Sequence, residues 1–169
     1  IANVENVTGS HFGDQITGDA GDNVLSGEFG KDVLVGGGGN DLIYGGVGND
    51  TLEGDAGDDI LSGGDDDDQI LGGADNDWLD GSYGNDYISG GDGADLIIGG
   101  SGDDQIDGGS GNDQIDGGAG IDEAIYYDGI AGVTVDLASG VATDGFGDVD
   151  TLANVENVEG GSGDDQLIG

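Results

Sequence analysis

The sequence predicts an all-β fold, a parallel β-roll in which one short strand and one tight turn alternate every nine residues. Three observations lead to this prediction. A nonapeptide recurs along most of the chain, 42 of the 169 residues are Gly, and a large aliphatic residue stands at the same place in almost every copy. Internal repeats of this kind are typical of solenoids, in which each unit buries its apolar side chain only against its neighbours.

The nonapeptides begin at Gly9, and thirteen of them follow one another without a gap to Ile125. A fourteenth occupies residues 160–168. The template is G-G-x-G-x-D-x-U-x, where U is a large aliphatic residue. All fourteen copies begin with Gly, thirteen have Asp in the sixth position, with Asn23 as the exception, and thirteen have Ile or Leu in the eighth, with Ala124 as the exception.

This spacing has a direct physical interpretation. The six residues rich in Gly and Asp suit a turn that needs positive φ, and the three residues around the aliphatic one suit a very short strand with one side chain pointing inward. Two such units make a coil of 18 residues, and successive coils stack into two parallel sheets. Sixth-position carboxylates then stack along both edges at roughly 4.8 Å. Charges so close together require a cation between them.

The overall charge supports the same conclusion. The chain has 38 Asp and Glu residues against a single Lys or Arg, a formal net charge of −37. Self-repulsion would expand such a chain unless cations neutralised it, and divalent ions that prefer oxygen ligands suit the many Asp residues best. Nucleic acid is excluded as a partner, because phosphate binding requires Lys and Arg.

Other classes of site are excluded by residues that the sequence lacks. There is no Cys, so disulfides and thiolate metal sites are ruled out, and His11 is the only His, which cannot form a zinc site alone. No apolar run approaches the roughly 18 residues that span a membrane. The sequence also lacks the His-Glu-x-x-His and Gly-x-Ser-x-Gly motifs of secreted hydrolases. We therefore expect a module that is not an enzyme.

The repeats at residues 36–44, 45–53 and 108–116 follow the template closely and resemble the RTX (repeats-in-toxin, hemolysin-type) calcium-binding nonapeptides. The resemblance covers 126 of the 169 residues, as fourteen copies of nine. It implies Ca²⁺ ions between turns n and n+2, held by sixth-position side chains and by backbone carbonyls of the first four positions. Thirteen consecutive turns provide about eleven such sites.

Carried over to this sequence, the resemblance assigns ligands along both edges. One edge would use Asp14, Asp32, Asp50, Asp68, Asp86, Asp104 and Asp122, and the other Asn23, Asp41, Asp59, Asp77, Asp95 and Asp113. The last nonapeptide would add Asp165. Carbonyl ligands are expected at Gly37, Gly39, Gly46, Gly48, Gly100, Gly102, Gly109 and Gly111.

Some copies depart from the template. Phe12, Asp66 and Asp75 replace the fourth-position Gly, and Asp tolerates the left-handed conformation better than Phe, so we expect an irregular turn at Phe12. Asn23 keeps an oxygen but loses a charge, which predicts weaker binding. Because Ala124 breaks the pattern, the regular roll is expected to end near residue 125.

Residues 126–159 do not follow the nonapeptide template and are predicted to be a connecting β segment. Residues 133–137 alternate like a half-buried strand, and the loop at 144–148 has the composition to hold a further ion. Residues 152–158 nearly repeat residues 1–7 at an offset of 151. This predicts a tandem array, although a capping phrase at each end of a single roll is an open alternative.

The predicted organisation therefore has four parts. Residues 1–8 end a preceding connecting coil, residues 9–125 form the roll of thirteen nonapeptides, residues 126–159 connect it onward, and residues 160–169 begin the next roll.

Seventh-position side chains should point outward, and on one sheet they form an apolar stripe of Val24, Leu42, Ile60, Trp78 and Leu96. On the other sheet the same position is mainly polar. The stripe is a candidate surface for a neighbouring copy of the repeat or another protein, with strand propensity alone as the competing explanation.

The resemblance implies a calcium-dependent folding and structural or interaction module of a large secreted or cell-surface repeat protein, of the adhesin, surface-layer, matrix or filament type. It further implies type I secretion from a Gram-negative bacterium. The alternative is a non-catalytic accessory domain of a secreted enzyme such as a protease, lipase or alginate epimerase. Without calcium, we expect a flexible, solvated chain.

Overall fold

A computed structural model describes residues 5–127 and 132–169, and within these ranges it contains nineteen strands and no helix. The predicted all-β fold is confirmed. Residues 1–4 of the predicted preceding coil and residues 128–131 of the predicted connecting segment lie outside the described residues. In the described part of the chain, no helix has the length and hydropathy needed to cross a membrane.

The strands of the roll are short and evenly spaced. They are β1 (Asn6–Thr8), β2 (Gln15–Thr17), β3 (Val24–Phe29), β4 (Val33–Gly38), β5 (Leu42–Val47), β6 (Thr51–Ala56), β7 (Ile60–Asp65), β8 (Gln69–Ala74), β9 (Trp78–Tyr83), β10 (Tyr87–Asp92), β11 (Leu96–Ser101), β12 (Gln105–Ser110), β13 (Gln114–Ala119) and β14 (Glu123–Ile125). Beyond them lie β15 (Thr134–Asp136), β16 (Val141–Thr143), β17 (Val149–Ala153), β18 (Asn157–Glu159) and β19 (Gln166–Ile168).

Two sheets form the solenoid. The first sheet has eleven strands in the order β1-β3-β5-β7-β9-β11-β13-β17-β16-β15-β19, and the second has eight in the order β18-β14-β12-β10-β8-β6-β4-β2. Within the roll, each strand pairs in parallel with the strand 18 residues away, as Ile43 does with Leu61 and Leu52 with Ile70. The 18-residue coil is therefore the building unit of the fold.

Most strands are longer than the three residues that the spacing predicts. From β3 to β13 each strand has six residues, because the first three positions of the next nonapeptide also join the ladder. Val47, for example, pairs with Asp65 just as Leu42 pairs with Ile60. Half of the Gly-rich segment thus belongs to the strand ladder, although its second residue has positive φ in most repeats.

The core consists of two facing rows of aliphatic side chains from the eighth position, one row from each sheet. Leu25, Ile43, Leu61, Leu79 and Ile97 face inward from the first sheet and are almost completely buried. Their counterparts Leu34, Leu52, Ile70, Ile88 and Ile106 face inward from the second. The first Gly of each repeat also points inward. A Cβ atom on Gly45 would lie 2.5 Å from the Gly63 carbonyl oxygen and 2.6 Å from Asp50 Oδ2, so only Gly fits there.

The chain leaves the parallel pattern after β14. Strand β17 pairs in parallel with β13, and β18 with β14, which adds one more coil to the roll. Between β14 and β17 the chain forms an antiparallel hairpin of β15 and β16, and β16 is also antiparallel to β17. Val133, Val135 and Ala142 of this hairpin region are buried in the same core.

Candidate calcium sites along the turns

Sixth-position side chains form a ladder along each edge of the roll. The Oδ1 atom of each Asp accepts a hydrogen bond from the backbone N–H of the sixth residue one coil earlier. Asp41 N–H donates to Asp59 Oδ1 at 2.7 Å, and Asp59 N–H donates to Asp77 Oδ1 at 2.8 Å. The same bond recurs along both edges from Asp14 to Asp122. The structure therefore brings thirteen of the predicted side-chain ligands together in two continuous rows.

The second carboxylate oxygen of these residues is buried without a partner. This holds for the Oδ2 atoms of Asp32, Asp41, Asp50, Asp59, Asp68, Asp77, Asp86, Asp95, Asp104, Asp113 and Asp122. A buried acceptor without a hydrogen bond costs about 1–3 kcal/mol, and more when it is charged. Eleven such atoms in two regular rows indicate that a ligand other than a protein donor completes each of them.

The two residues that begin the ladders differ from the rest. Asp14 Oδ2 accepts the Ser10 N–H at 2.6 Å, and Asn23 Oδ1 accepts the Asp19 N–H at 2.8 Å. Each is satisfied by its own turn. The Oδ2 atoms without a partner therefore begin with the second residue of each ladder, Asp32 on one edge and Asp41 on the other.

Main-chain carbonyl oxygens lie close to the glycines of the same turns. Next to the Cα atom of Gly45 lie both the Asp50 Oδ2 and the carbonyl oxygen of Gly63, one coil later. A side chain on Gly46 or Gly48 would collide with the carbonyl oxygen of the residue one coil earlier. An environment of carboxylate and carbonyl oxygens is what Ca²⁺ prefers. The residues present therefore fit this ion, with carbonyl ligands supplied by the turns.

All eight glycines predicted to supply carbonyl ligands adopt positive φ, between 91° and 135°. They are Gly37, Gly39, Gly46, Gly48, Gly100, Gly102, Gly109 and Gly111. Asp66 and Asp75, which replace Gly in the fourth position, keep the same conformation with φ of 80°. Phe12 does not, and its side chain is 79% exposed. The turn at Phe12 is irregular, as the sequence predicts, but Gly21 in the next turn also lacks positive φ, so the Phe side chain is not the whole cause.

Burial changes the acidity of the ladder carboxyls. It raises the pKa of Asp50, Asp59, Asp86, Asp95 and Asp104 to about 6, and of Asp68, Asp77 and Asp113 to about 7. In each case the backbone N–H bond lowers the pKa, but desolvation outweighs it, and for most of them neighbouring carboxylates raise it further. Without a cation, these ladder carboxyls therefore have pKa values close to neutral pH, and a bound divalent ion would favour their charged form.

Within the described residues, no group of three or more His, Cys, Asp or Glu side chains is arranged to hold a metal ion. The reason lies in the ladder itself, since the acidic side chains follow one another along an edge and do not converge on one point. Any cation between two coils must take the rest of its ligands from backbone carbonyls or water.

Two ladder residues escaped sequence reasoning. Asp113 N–H donates to Asp150 Oδ1 at 3.0 Å, and Asp122 N–H donates to Glu156 Oε2 at 3.0 Å. They continue the two ladders by one coil, although 37 and 34 residues of chain separate the partners. A signal was available, because Asp150 stands two residues before Leu152 and Glu156 two before Val158, as the sixth position does before the eighth.

Asp165 is the one predicted side-chain ligand that the structure separates from the others. Its Oδ1 accepts the N–H of Val133 at 3.0 Å, so an apolar residue occupies the place that an acidic residue has elsewhere in the ladder. The hairpin of β15 and β16 intervenes between β17 and β19 and interrupts this edge.

A second, exposed ladder runs through the fifth positions in the opposite direction. Asn40 N–H donates to Asp22 Oδ1 at 2.9 Å, and Asn76 N–H donates to Asp58 Oδ1 at 3.0 Å. The backbone and side-chain N–H groups of Asn76 both donate to Asp58 and lower the pKa of its carboxyl. Fifth-position side chains thus join consecutive coils without needing a cation.

Comparison with known proteins gives one family. A family model of the RTX calcium-binding nonapeptide repeat (four copies) matches residues 8–43, 36–70, 44–79, 62–97, 71–106, 89–124 and 150–169. The last match begins at Asp150, where the ladder resumes. Among curated proteins, no sequence matches the chain significantly.

Proposed function

The chain belongs to the RTX calcium-binding nonapeptide repeat family, and we propose that it is a module whose folding depends on calcium. The observation that carries this proposal is the set of eleven buried Oδ2 atoms without a partner. Each is the later member of one pair of stacked sixth positions. In this proposal one Ca²⁺ per pair completes the two carboxylates, with carbonyl oxygens of the neighbouring glycines as further ligands.

Charge supports the same role. Eleven divalent ions, with two charges each, would offset 22 of the 37 net negative charges. Each nonapeptide contributes only one large side chain to the apolar core, so the core contributes little against the conformational entropy of so many Gly residues. A ligand that binds only the folded state stabilises that state by mass action. Calcium is therefore proposed to be part of the fold rather than an accessory to it.

This dependence suits a protein that works outside the cell. A chain that stays unfolded at low calcium and folds at high calcium remains extended before export and becomes rigid afterwards. We place the module in a secreted or cell-surface repeat protein of the adhesin, surface-layer, matrix or filament type, exported by type I secretion from a Gram-negative bacterium. In the alternative, an accessory domain of a secreted enzyme, the same calcium-dependent roll would support a separate catalytic domain.

The apolar stripe supports an interaction role. Val24, Leu42, Ile60, Trp78 and Leu96 pair in register along the outer face of the first sheet. Four of them are 37–44% exposed, and Leu42 is half-buried. We propose that a neighbouring copy of the repeat packs on this stripe, because contiguous exposed apolar rows mark contact surfaces.

The stripe is tested by replacing Leu42 and Trp78 with Ser and measuring sedimentation in saturating calcium. We expect the variant to lose calcium-dependent association, while a control with Gln69→Ser on the second sheet keeps it. Association and stability that survive in the Leu42 and Trp78 variant would exclude the stripe as a contact surface.

The tandem organisation is also a proposal. The last residues of the phrase that occurs twice in the sequence lie in β1 at one end of the roll and in β18 at the other, each paired with a strand of the roll. We propose that in a tandem array this phrase is the coil shared by consecutive rolls. A chain with two super-repeats should then scatter X-rays as one rod, whereas two rods joined by a hinge would contradict the proposal.

The folding proposal is tested by far-UV circular dichroism and light scattering during a calcium titration, with magnesium as the control. We expect a cooperative change from a disordered to a β spectrum with calcium alone. Scattering that rises together with the β signal would favour an assembling structural protein over an enzyme accessory domain. A β spectrum in chelator, or a disordered one in millimolar calcium, would contradict the proposal.

A further inference from the structure

We propose that Asp113, Asp144 and Asp150 form an additional divalent-cation site at the junction between the roll and the hairpin of β15 and β16. Asp113 and Asp150 continue one ladder of the roll, and Asp144 adds a ligand from a loop that no nonapeptide contains. The site rests on the proposed function in one respect, namely that the ion is the calcium that the roll binds.

Asp144 lies in the loop between β16 and β17 and is only 4% exposed. Its Oδ1 accepts three backbone N–H groups, from Phe146 at 2.9 Å, Gly147 at 2.7 Å and Asp148 at 2.8 Å. These bonds account for the shape of the loop. They leave Oδ2 buried and without a hydrogen-bond partner, so one oxygen of this carboxylate has no role within the loop.

Asp113 and Asp150 are the roll's contribution to the junction. Asp113 N–H donates to Asp150 Oδ1 at 3.0 Å, and Val149 N–H donates to Asn112 Oδ1 at 3.0 Å, so the loop is fastened to the last turns of the roll. Both carboxylates are 1% exposed. Asp113 Oδ2 is also buried without a partner. Because Asp113 Oδ2 is also one of the eleven ladder oxygens, Asp113 would bridge the ion shared with Asp95 and the junction ion, while Asp144 Oδ2 belongs to the junction alone.

The protein supplies no positive charge there. The only Lys or Arg in the sequence is Lys31, which lies in the early turns of the roll, where its charge lowers the pKa of Asp50. At the junction, burial raises the pKa of Asp113 and Asp150 most, and the negative charge of Asp144 raises the pKa of both further. Three acidic groups with no protein cation are stable together at neutral pH when an external cation binds between them.

The side chains at the junction do not form a finished cage, since the described residues contain no group of three acidic side chains already arranged for a metal. Calcium tolerates irregular coordination by six to eight oxygens, and it accepts backbone carbonyls and water as ligands. Magnesium demands a near-ideal octahedron. The open oxygens of Asp113 and Asp144 and the carboxylate of Asp150 therefore favour calcium, with the loop closing on the ion.

The test compares Asp144→Asn with Asp103→Asn in the full chain. The amide at position 144 keeps an oxygen for the three N–H groups and places an NH₂ group where Oδ2 was, so the loop is preserved while the open ligand is lost. Asp103 is an exposed fifth-position residue whose Oδ1 accepts the Ile121 N–H, and the same change there removes a charge without removing a buried ligand.

Native mass spectrometry at saturating calcium should count one ion fewer in Asp144→Asn than in the wild-type chain, and an unchanged number in Asp103→Asn. Amide exchange should rise at residues 144–149 and stay unchanged in the middle of the roll, which also shows that the variant is folded. Asp150→Asn, which keeps the acceptor for Asp113 N–H, should lose the same ion.

A full complement of calcium in both Asp144→Asn and Asp150→Asn, with unchanged exchange in the loop, would overturn the junction site and leave the function proposed for the roll intact. A wild-type chain that binds no calcium would instead contradict the proposed function itself.

Discussion

The roll and the connecting segment use the same residue type, Asp, in opposite ways. In the roll, Asp59 and its ladder neighbours bond across 18 residues to the next coil and keep one oxygen open. In the connecting segment, Asp136 Oδ1 accepts the N–H groups of Ala138 and Ser139, and Asp144 Oδ1 those of its own loop. Cohesion of the roll is therefore nonlocal, whereas the connecting segment satisfies much of its polar backbone locally.

The largest expected difference between the two regions concerns calcium removal. In chelator at pH 7.5, we expect amides of residues 24–110 to exchange at the rate of an unfolded chain, because the ladders lose the ions that hold them. Residues 134–148 should keep partial protection, since their bonds are local. Hydrogen exchange with and without calcium measures the protection of both regions. Equal loss of amide protection in the two regions would show that the connecting segment depends on calcium as much as the roll does.

Acid should partly replace calcium in the roll. The folded, calcium-free ladder has carboxyl pKa values of about 6 for Asp50 and about 7 for Asp68 and Asp77, against 3.8 for an ordinary Asp. The folded chain therefore binds more protons than the unfolded one between these values. Stability without calcium should rise as the pH falls from 7.5 to 5, and disappear as the pH rises through 6 to 7.

Circular dichroism in calcium-free buffer measures this change as a gain of β signal on acidification. The calcium affinity should change in the opposite direction, because protons compete for the same oxygens. A calcium-free chain that is equally disordered at both pH values would show that the buried carboxyls do not control folding.

Core substitutions compare the inside of the roll with its outside. Leu79 is completely buried in the first sheet, so Leu79→Ala should lower the free energy of unfolding in calcium by about 2–5 kcal/mol. Gln69→Ala, on the exposed face of the second sheet and outside the apolar stripe, should change it by no more than about 0.5 kcal/mol. Thermal or denaturant unfolding in saturating calcium measures both. Equal effects would mean that the buried aliphatic residues of the eighth position do not provide the main packing energy of the roll.

The smallest expected effect comes from one ladder position. Asp59→Asn keeps the acceptor for Asp41 N–H but removes the open Oδ2, whereas Asp58→Asn changes an exposed neighbour that has no buried oxygen. The first change should weaken calcium-dependent folding by about 1–3 kcal/mol, as expected for one buried partner, and the second should leave it nearly unchanged. The calcium concentration at the midpoint of folding, measured by circular dichroism, compares the two variants. Equal midpoints would show that the open ladder oxygen of Asp59 does not bind calcium.

Much of the fold could be read from the sequence because the local pattern and the global architecture share one period. A residue at any position of a nonapeptide has as its neighbour the same position 18 residues away. The 18-residue spacing alone predicts that the side chains of Leu52 and Ile70 point inward next to each other and that Asp41 stacks on Asp59. Calcium as the ligand was predicted from the chemistry of the repeated carboxylates together with the family resemblance, and its sites remain a proposal.

Only the tertiary structure decided what happens where the period stops. Asp150 and Glu156 continue the ladders across 37 and 34 residues, and Asp165 stacks on Val133, because the hairpin of β15 and β16 routes the chain away from the roll and back. The open oxygen of Asp144 likewise depends on which N–H groups the folded loop directs at its partner oxygen. A repeat fixes distances along its own period, but the path of a unique segment is fixed by packing against the rest of the molecule.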